Sequence, residues 1–197
     1  MKQKKDTGFN FLAWKLVIIN TTIGFLEVPF GWLIPLFALV PEKILFAPWM
    51  LVTSMFLHLD VMHLFQNMFA LAFFGILLEK IIGSKKFLQL YFVAGIAGSL
   101  ASIIFYPYAT SLGASGAIMG IVGALATLRP KLVVYFGGPI PMIFLAAMWI
   151  ILDLAGLATG VGNVGHAAHL AGFAVGIFYG VTNYAKFQEE KEMKKQI

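Results

Sequence analysis

The stretch "GASGAIMGIVGALATLR", residues 113–129, decides the fold. It carries no charge from Gly113 to Leu128 and ends on Arg129, the pattern of a membrane helix with a basic residue at one rim. From Ser115 to Arg129 a helix rises about 21 Å at ~1.5 Å per residue, whereas a bilayer's hydrocarbon core is about 30 Å thick. With Arg129 at the inner interface, Ser115 therefore begins well below the outer one. The preceding "YPYATSLGA" must dip into the membrane as irregular backbone, which is tolerated only when buried in protein or lining a water-filled cavity. Gly113 permits close approach or a positive φ, and Gly116 removes bulk beside the Ser115 hydroxyl. A helix starting at Ser115 aims unpaired N–H groups at whatever lies over that hydroxyl, a ready site for a negative oxygen.

The rest of the chain agrees with a membrane setting. Its 197 residues are 60% hydrophobic and 12% charged, with no cysteine for disulfides or thiolate metal sites. Apolar runs predict six helices, at about 12–33, 61–80, 86–106, 115–129, 139–158 and 166–185, hence an all-α integral membrane bundle. The segment between the first two, "FALVPEKILFAPWMLVTSMFLHLD", is too long for a simple loop and reads as a partly helical piece lying in the membrane surface. Met1 to Thr7 is too charged for the apolar part of a signal peptide, so no processing is expected. One domain is expected over 1–197, with a core of about 49–185 and charged cytoplasmic ends at 1–10 and 186–197.

The net charge of +5 comes from Lys and Arg at the ends of spans, with no basic stripe interleaved with stacking aromatics, which argues against nucleic acid as a partner. With six spans, Lys2, Lys4, Lys5, Lys15, Lys80, Lys85, Lys86, Arg129, Lys131, Lys186, Lys191, Lys194 and Lys195 share one side, and Lys43 lies opposite. By the positive-inside rule the shared side is cytoplasmic, with both termini there, and a plasma membrane location is expected. The tail "KFQEEKEMKKQI" reads as a solvated helix end.

Spans two, four and six all run inward from the outer face. Their starts bring His63 and Asn67, Ser115, and His169 to one depth. His63 and Asn67, four apart, point along one helix face. Gly116, Gly120 and Ala124 form a small-residue face on span four, and Gly172 and Gly176 form another on span six. Packing of these faces would bring Ser115 and His169 within reach. Taken singly, Ser115 reads first as a packing residue bonded to backbone, and His169 as a satisfied polar group at a helix start, although an ionisable group within the membrane points to function.

Together, three stretches resemble the rhomboid intramembrane serine proteases: "GASG" at 113–116, "HLDVMHLFQN" at 58–67, and "HLAGFAVG" at 169–176. "FFGILLEKIIGSKKFLQLYFVAGIAGS" at 73–99 is also similar, and the likeness runs from about Trp49 to Gly180. This resemblance implies a six-helix core with Ser115 as nucleophile and His169 as general base and then acid, a dyad without an orienting carboxylate. It implies an oxyanion hole of Asn67, His63 and the Ser115 backbone N–H, and a membrane-embedded first loop. The chemistry is coherent: a serine needs a base in reach, and the tetrahedral oxyanion needs donors aimed at it. Three positions depart from the family pattern. Met50 follows Trp49 where an arginine is usual, which removes a charged contact from the loop. Met119 replaces a tyrosine one turn after Ser115, and a thioether can pack on an imidazole edge. His166 has no firm counterpart, and either bonds into the site or faces outer water.

Other ionisable groups have plainer readings. His58 is read as structural, Asp153 as hydrogen-bonded and structural, and Glu79 as cap-like or interfacial. The histidines lack metal-site spacing: His166 and His169 share a face, but there is no HExxH and no thiolate, so neither metal nor other cofactor is expected. Asp153 has no evident second acid for an aspartyl mechanism. The function expected is hydrolysis of peptide bonds in or near transmembrane segments of membrane proteins that enter laterally from the bilayer. The alternative is an inactive relative that binds or chaperones membrane helices.

Overall fold

A computed structural model of the chain describes residues 9–27, 30–135, 137–160 and 165–195. Lys2, Lys4, Lys5 and the side chains of Lys191, Lys194 and Lys195 lie outside the described residues, so that part of the charge pattern has no structural counterpart here. We number the main helices α1 (Leu12–Glu27), α2 (Val61–Ile82), α3 (Ser84–Phe105), α4 (Ser115–Leu128), α5 (Met142–Thr159) and α6 (His166–Lys195). Of these, α2, α3 and α5 are long and apolar enough to cross a membrane, and α4 is a shorter apolar helix. The protein is an integral membrane protein.

Helix α4 is the axis of the bundle: every residue from Gly116 to Ala126 is buried. Its small side chains let α3 and α6 press against it. A Cβ on Gly172 would overlap the Gly116 carbonyl oxygen, and one on Gly176 the Gly120 carbonyl oxygen. The two glycine faces read from the sequence therefore do meet, backbone against backbone. A Cβ on Gly120 would likewise overlap that of Ala94 on α3.

The end of α2 far from His63 is tied by a buried acid. Glu79 is fully buried and accepts from the backbone N–H groups of Leu12 and Ala13, both at 2.9 Å, and from the Ser84 hydroxyl. A carboxylate at the start of α1 satisfies donors that the helix itself leaves open and favours the positive end of its dipole. The cap-like reading of Glu79 describes it well. Gly83, at φ 81°, makes the sharp turn from α2 into α3, a conformation that side chains resist. Within α2, a π-helical turn at Leu71–Gly75 inserts an extra residue into the spiral.

Three boundaries differ from expectation. Helix α1 ends at Glu27 rather than continuing to 33; Pro29 lies outside the described residues, and a short 3-10 turn follows at Gly31–Leu33. Helix α5 starts at Met142 rather than 139, because Val133–Tyr135 (β1) and Pro139–Pro141 (β2) pair as an antiparallel hairpin. Pro141 bars Ile140 from helical dihedrals and both prolines lack the N–H a helix interior uses, so the purely α expectation misses this hairpin. Helix α6 runs to Lys195, past the expected 185, since Glu, Lys, Gln and Met in the tail are good helix formers.

The segment from 34 to 60 folds into short helical turns at Ile34–Phe37, Pro41–Lys43, Met50–Thr53 and Ser54–Phe56. Hydrogen bonds anchor it. Thr53 Oγ1 donates to the Phe37 carbonyl at 2.7 Å, Ser99 Oγ on α3 donates to the Leu51 carbonyl at 3.0 Å, and Leu39 pairs with Ser111 through two backbone bonds of 2.9 Å. Met50 is buried with Leu39 and Ala47, which accounts for an apolar residue there. Leu45 and Phe46 stand almost fully exposed at the tip.

Candidate active site

Ser115 is the first residue of α4 and half-buried, and no side chain caps the helix start above it. Gly113 has φ 127°, and its N–H donates to the Ser54 carbonyl at 2.9 Å, which locks the irregular backbone that leads into α4. A side chain there would be both strained and crowded. A Cβ on Gly113 would stand 2.9 Å from His63 Cε1, 3.0 Å from His63 Nε2 and 3.8 Å from Ser115 Oγ. The His63 ring thus lies over Gly113 beside the Ser115 hydroxyl.

The orientation of His63 follows from its own helix start. Asp60 caps α2 by accepting the His63 N–H at 2.8 Å, and His63 Nδ1 accepts the Leu59 N–H at 3.3 Å. A neutral imidazole whose Nδ1 accepts carries its hydrogen on Nε2. The ring therefore presents an N–H toward Gly113. Asn67, one turn along, is buried, and its Nδ2 donates to the His63 carbonyl at 2.8 Å. That bond uses one amide hydrogen and leaves the other.

His169 lies in the first turn of α6. Its neighbour Ala168 is seated between α3 and α4: the Ala168 carbonyl oxygen would be 3.0 Å from a Cβ on Gly98 and 3.4 Å from one on Gly116. Residues 115 and 169 flank this contact. Among the described residues no hydrogen bond joins Ser115 Oγ to His169. Tyr106, at the end of α3, accepts the Ala167 N–H through its hydroxyl at 3.2 Å and so caps α6, a role not anticipated from the sequence.

A carboxylate stands at His169, where the resemblance implies none. Asp153 Oδ1 lies 3.0 Å from His169 Nδ1 and 2.8 Å from His166 Nδ1. His166 therefore bonds into this cluster rather than simply facing water. A Cβ on Gly156 would overlap the His166 ring, so that glycine makes the approach possible. These three side chains bring potential metal donors within 4.8 Å of one another, and their Nδ1 to Oδ1 separations are those of hydrogen bonds. Met119 is buried in the apolar core below Ser115.

His58 sits outside the helices and is almost fully buried, its ring 5.2 Å from that of His63. Burial pushes its imidazole down to about 4, and the neighbouring His63 adds to the effect. Its backbone N–H donates to both Glu27 carboxylate oxygens at 3.2 Å.

Comparison with known proteins places these features in a family. The rhomboid domain model matches residues 46–186. The chain is 32% identical over 201 residues to Rhomboid protein 1, mitochondrial, of Saccharomyces cerevisiae, covering 94% of this chain and 56% of that protein. It is 39% identical over 134 residues to Rhomboid protease GluP of Bacillus subtilis, covering 66% and 25%. It is 34% identical over 149 residues to the presenilin-associated rhomboid-like protein, mitochondrial, of Bos taurus, covering 70% and 38%. The chain thus spans from a quarter to little more than half the length of these relatives. With the family model covering most of its length, the chain belongs to the rhomboid family.

Proposed function

We propose that this chain is an intramembrane serine protease that hydrolyses peptide bonds in or near transmembrane segments of membrane proteins. Ser115 Oγ attacks the scissile carbonyl carbon while His169 Nε2 takes its proton. The oxyanion is held by the Ser115 N–H, by His63 Nε2–H and by the free hydrogen of Asn67 Nδ2. Collapse breaks the C–N bond, and His169 returns the proton to the leaving amine. Water then attacks the acyl carbon, giving its proton to His169, and Ser115 regains that proton as the new carboxyl product leaves.

What supports this reading above all is the meeting of Ser115 Oγ and the His63 ring at Gly113, next to the glycine contact that joins α4 to α6. The proposed setting is one membrane domain of six spans, with α1, α4 and α6 added to α2, α3 and α5 and the first loop embedded in the membrane. Both termini face the cytoplasm of a plasma membrane, the site opens on the outer side, and substrates enter laterally. The grouping of Lys and Arg supports that orientation.

Ser115→Ala and His169→Ala are each expected to leave the fold intact and to abolish cleavage of a model transmembrane substrate in liposomes. A fluorophosphonate probe should label Ser115 in the unaltered protein and not in Ser115→Ala. Retained cleavage in either variant refutes the reading, and a folded protein without labelling points instead to an inactive relative that binds membrane helices.

A further inference from the structure

We propose that Asp153 is a positioning residue for His169: it accepts the His169 Nδ1–H, and so holds the Nε2 lone pair available to Ser115, with His166 as the second donor that steadies the carboxylate. The inference rests on the reading of Ser115 and His169 as nucleophile and base, and it adds a member that the family resemblance does not imply.

The geometry is that of a prepared contact between two helices. Asp153 and Gly156 lie on one face of α5, and His166 and His169 lie on one face of α6, with the same spacing on each. Asp153 reaches His169 at 3.0 Å, and Gly156 clears the space that His166 occupies to reach the same oxygen at 2.8 Å. The Asp153 side chain is only 7% exposed, and those of His166 and His169 are 14% and 16% exposed, so water competes weakly for these bonds. A carboxylate can only accept, so each neutral ring must donate from Nδ1. That leaves the lone pair of His169 on Nε2, the atom a base needs.

During attack the Ser115 proton passes to Nε2 and the imidazolium positive charge faces Asp153 through the Nδ1–H. The carboxylate keeps its charge and takes no proton. A second donor on the same oxygen limits rotation of the Asp153 side chain. A bond that only pinned α5 to α6 would fix the same tautomer, so what marks a positioning role is a loss of kcat at retained stability.

The test uses the whole protein in detergent and in liposomes. Asp153→Asn preserves size but offers an NH2 that can donate to Nδ1 and favour the wrong tautomer. It is expected to lower kcat about 100-fold or more at nearly constant KM, with fluorophosphonate labelling of Ser115 slowed in step and the thermal unfolding midpoint retained. Asp153→Glu should recover part of the lost rate. Imidazole nitrogen NMR should show His169 protonated at Nδ1 in the unaltered protein and a shift toward Nε2 in Asp153→Asn. Full kcat in folded Asp153→Asn overturns the proposal, as does an unaltered protein whose His169 Nδ1 is unprotonated, a measurement that stands even if the variant fails to fold. Loss of cleavage in Ser115→Ala beside full activity in Asp153→Asn rejects only the positioning role. Cleavage surviving in Ser115→Ala rejects the parent reading as well.

Discussion

Glu79 and Asp153 are both buried carboxylates within helices of an apolar bundle, yet their partners differ in kind. Glu79 accepts two backbone amides and a serine hydroxyl, groups that keep their protons through any physiological change. Asp153 accepts two imidazoles, groups that can trade a proton with a substrate or with water. The first arrangement closes a helix end; the second engages each ring through Nδ1 and not through Nε2. The contrast teaches that the role of a buried acid in a membrane protein is read from what donates to it, since both side chains are buried carboxylates.

The contrast can be tested against the frame that carries it. Gly172→Val or Gly176→Val should have the largest effect, because α6 would be driven off α4 by a backbone clash; a loss of about 4 kcal/mol or more is expected, seen as little monodisperse protein after detergent extraction. Normal recovery and an unchanged unfolding midpoint would mean that the helices are less tightly apposed than described. Glu79→Ala comes next: it strands two amide donors and a hydroxyl, at a cost of about 3 kcal/mol in detergent unfolding, while turnover per folded molecule is retained. A drop in kcat with stability intact, the result expected of Asp153→Asn, would erase the distinction between the two acids.

His58 yields a smaller effect that depends on pH. Its folded value, about 4, lies below the ordinary 6.5, so between those values the unfolded chain binds a proton that the folded one refuses. Stability is therefore present above about 6.5 and is lost as pH falls toward 4, by about 3 kcal/mol at most at ~1.4 kcal/mol per unit. Glu27, Asp60 and His63 also border this loop, so the comparison is with His58→Gln, whose unfolding curve should show a flatter acid limb. Identical acid limbs would remove His58 as the cause. Smallest is Gly156→Ala, which makes the His166 ring give way; a loss of about 1 kcal/mol is expected, and no loss means the ring has another place to rest.

Much of the candidate site's helix geometry was legible because its signals are local. "GASG" at a helix start, His63 and Asn67 four apart, and glycines four apart on two helices are features whose geometry follows from the helix repeat alone. Helix ends were less legible where a competing local preference acted, as at Ile140 before Pro141, or where solvated helix formers extended α6 to Lys195. The pairing of Asp153 with His166 and His169 was not read from the sequence, since the partners lie on different helices.

Taken alone, the order of residues determined an apolar helical chain, the placement of Ser115, His63 and His169 in the first turns of their helices, and which faces are small enough to meet. Only the tertiary structure decided that the Ala168 carbonyl nests between Gly98 and Gly116, that Glu79 closes α1, and that Asp153 turns toward two imidazoles. The physical reason is that helix periodicity sets which side chains share a face, whereas the rotation of one helix against another is set by how all their surfaces pack at once.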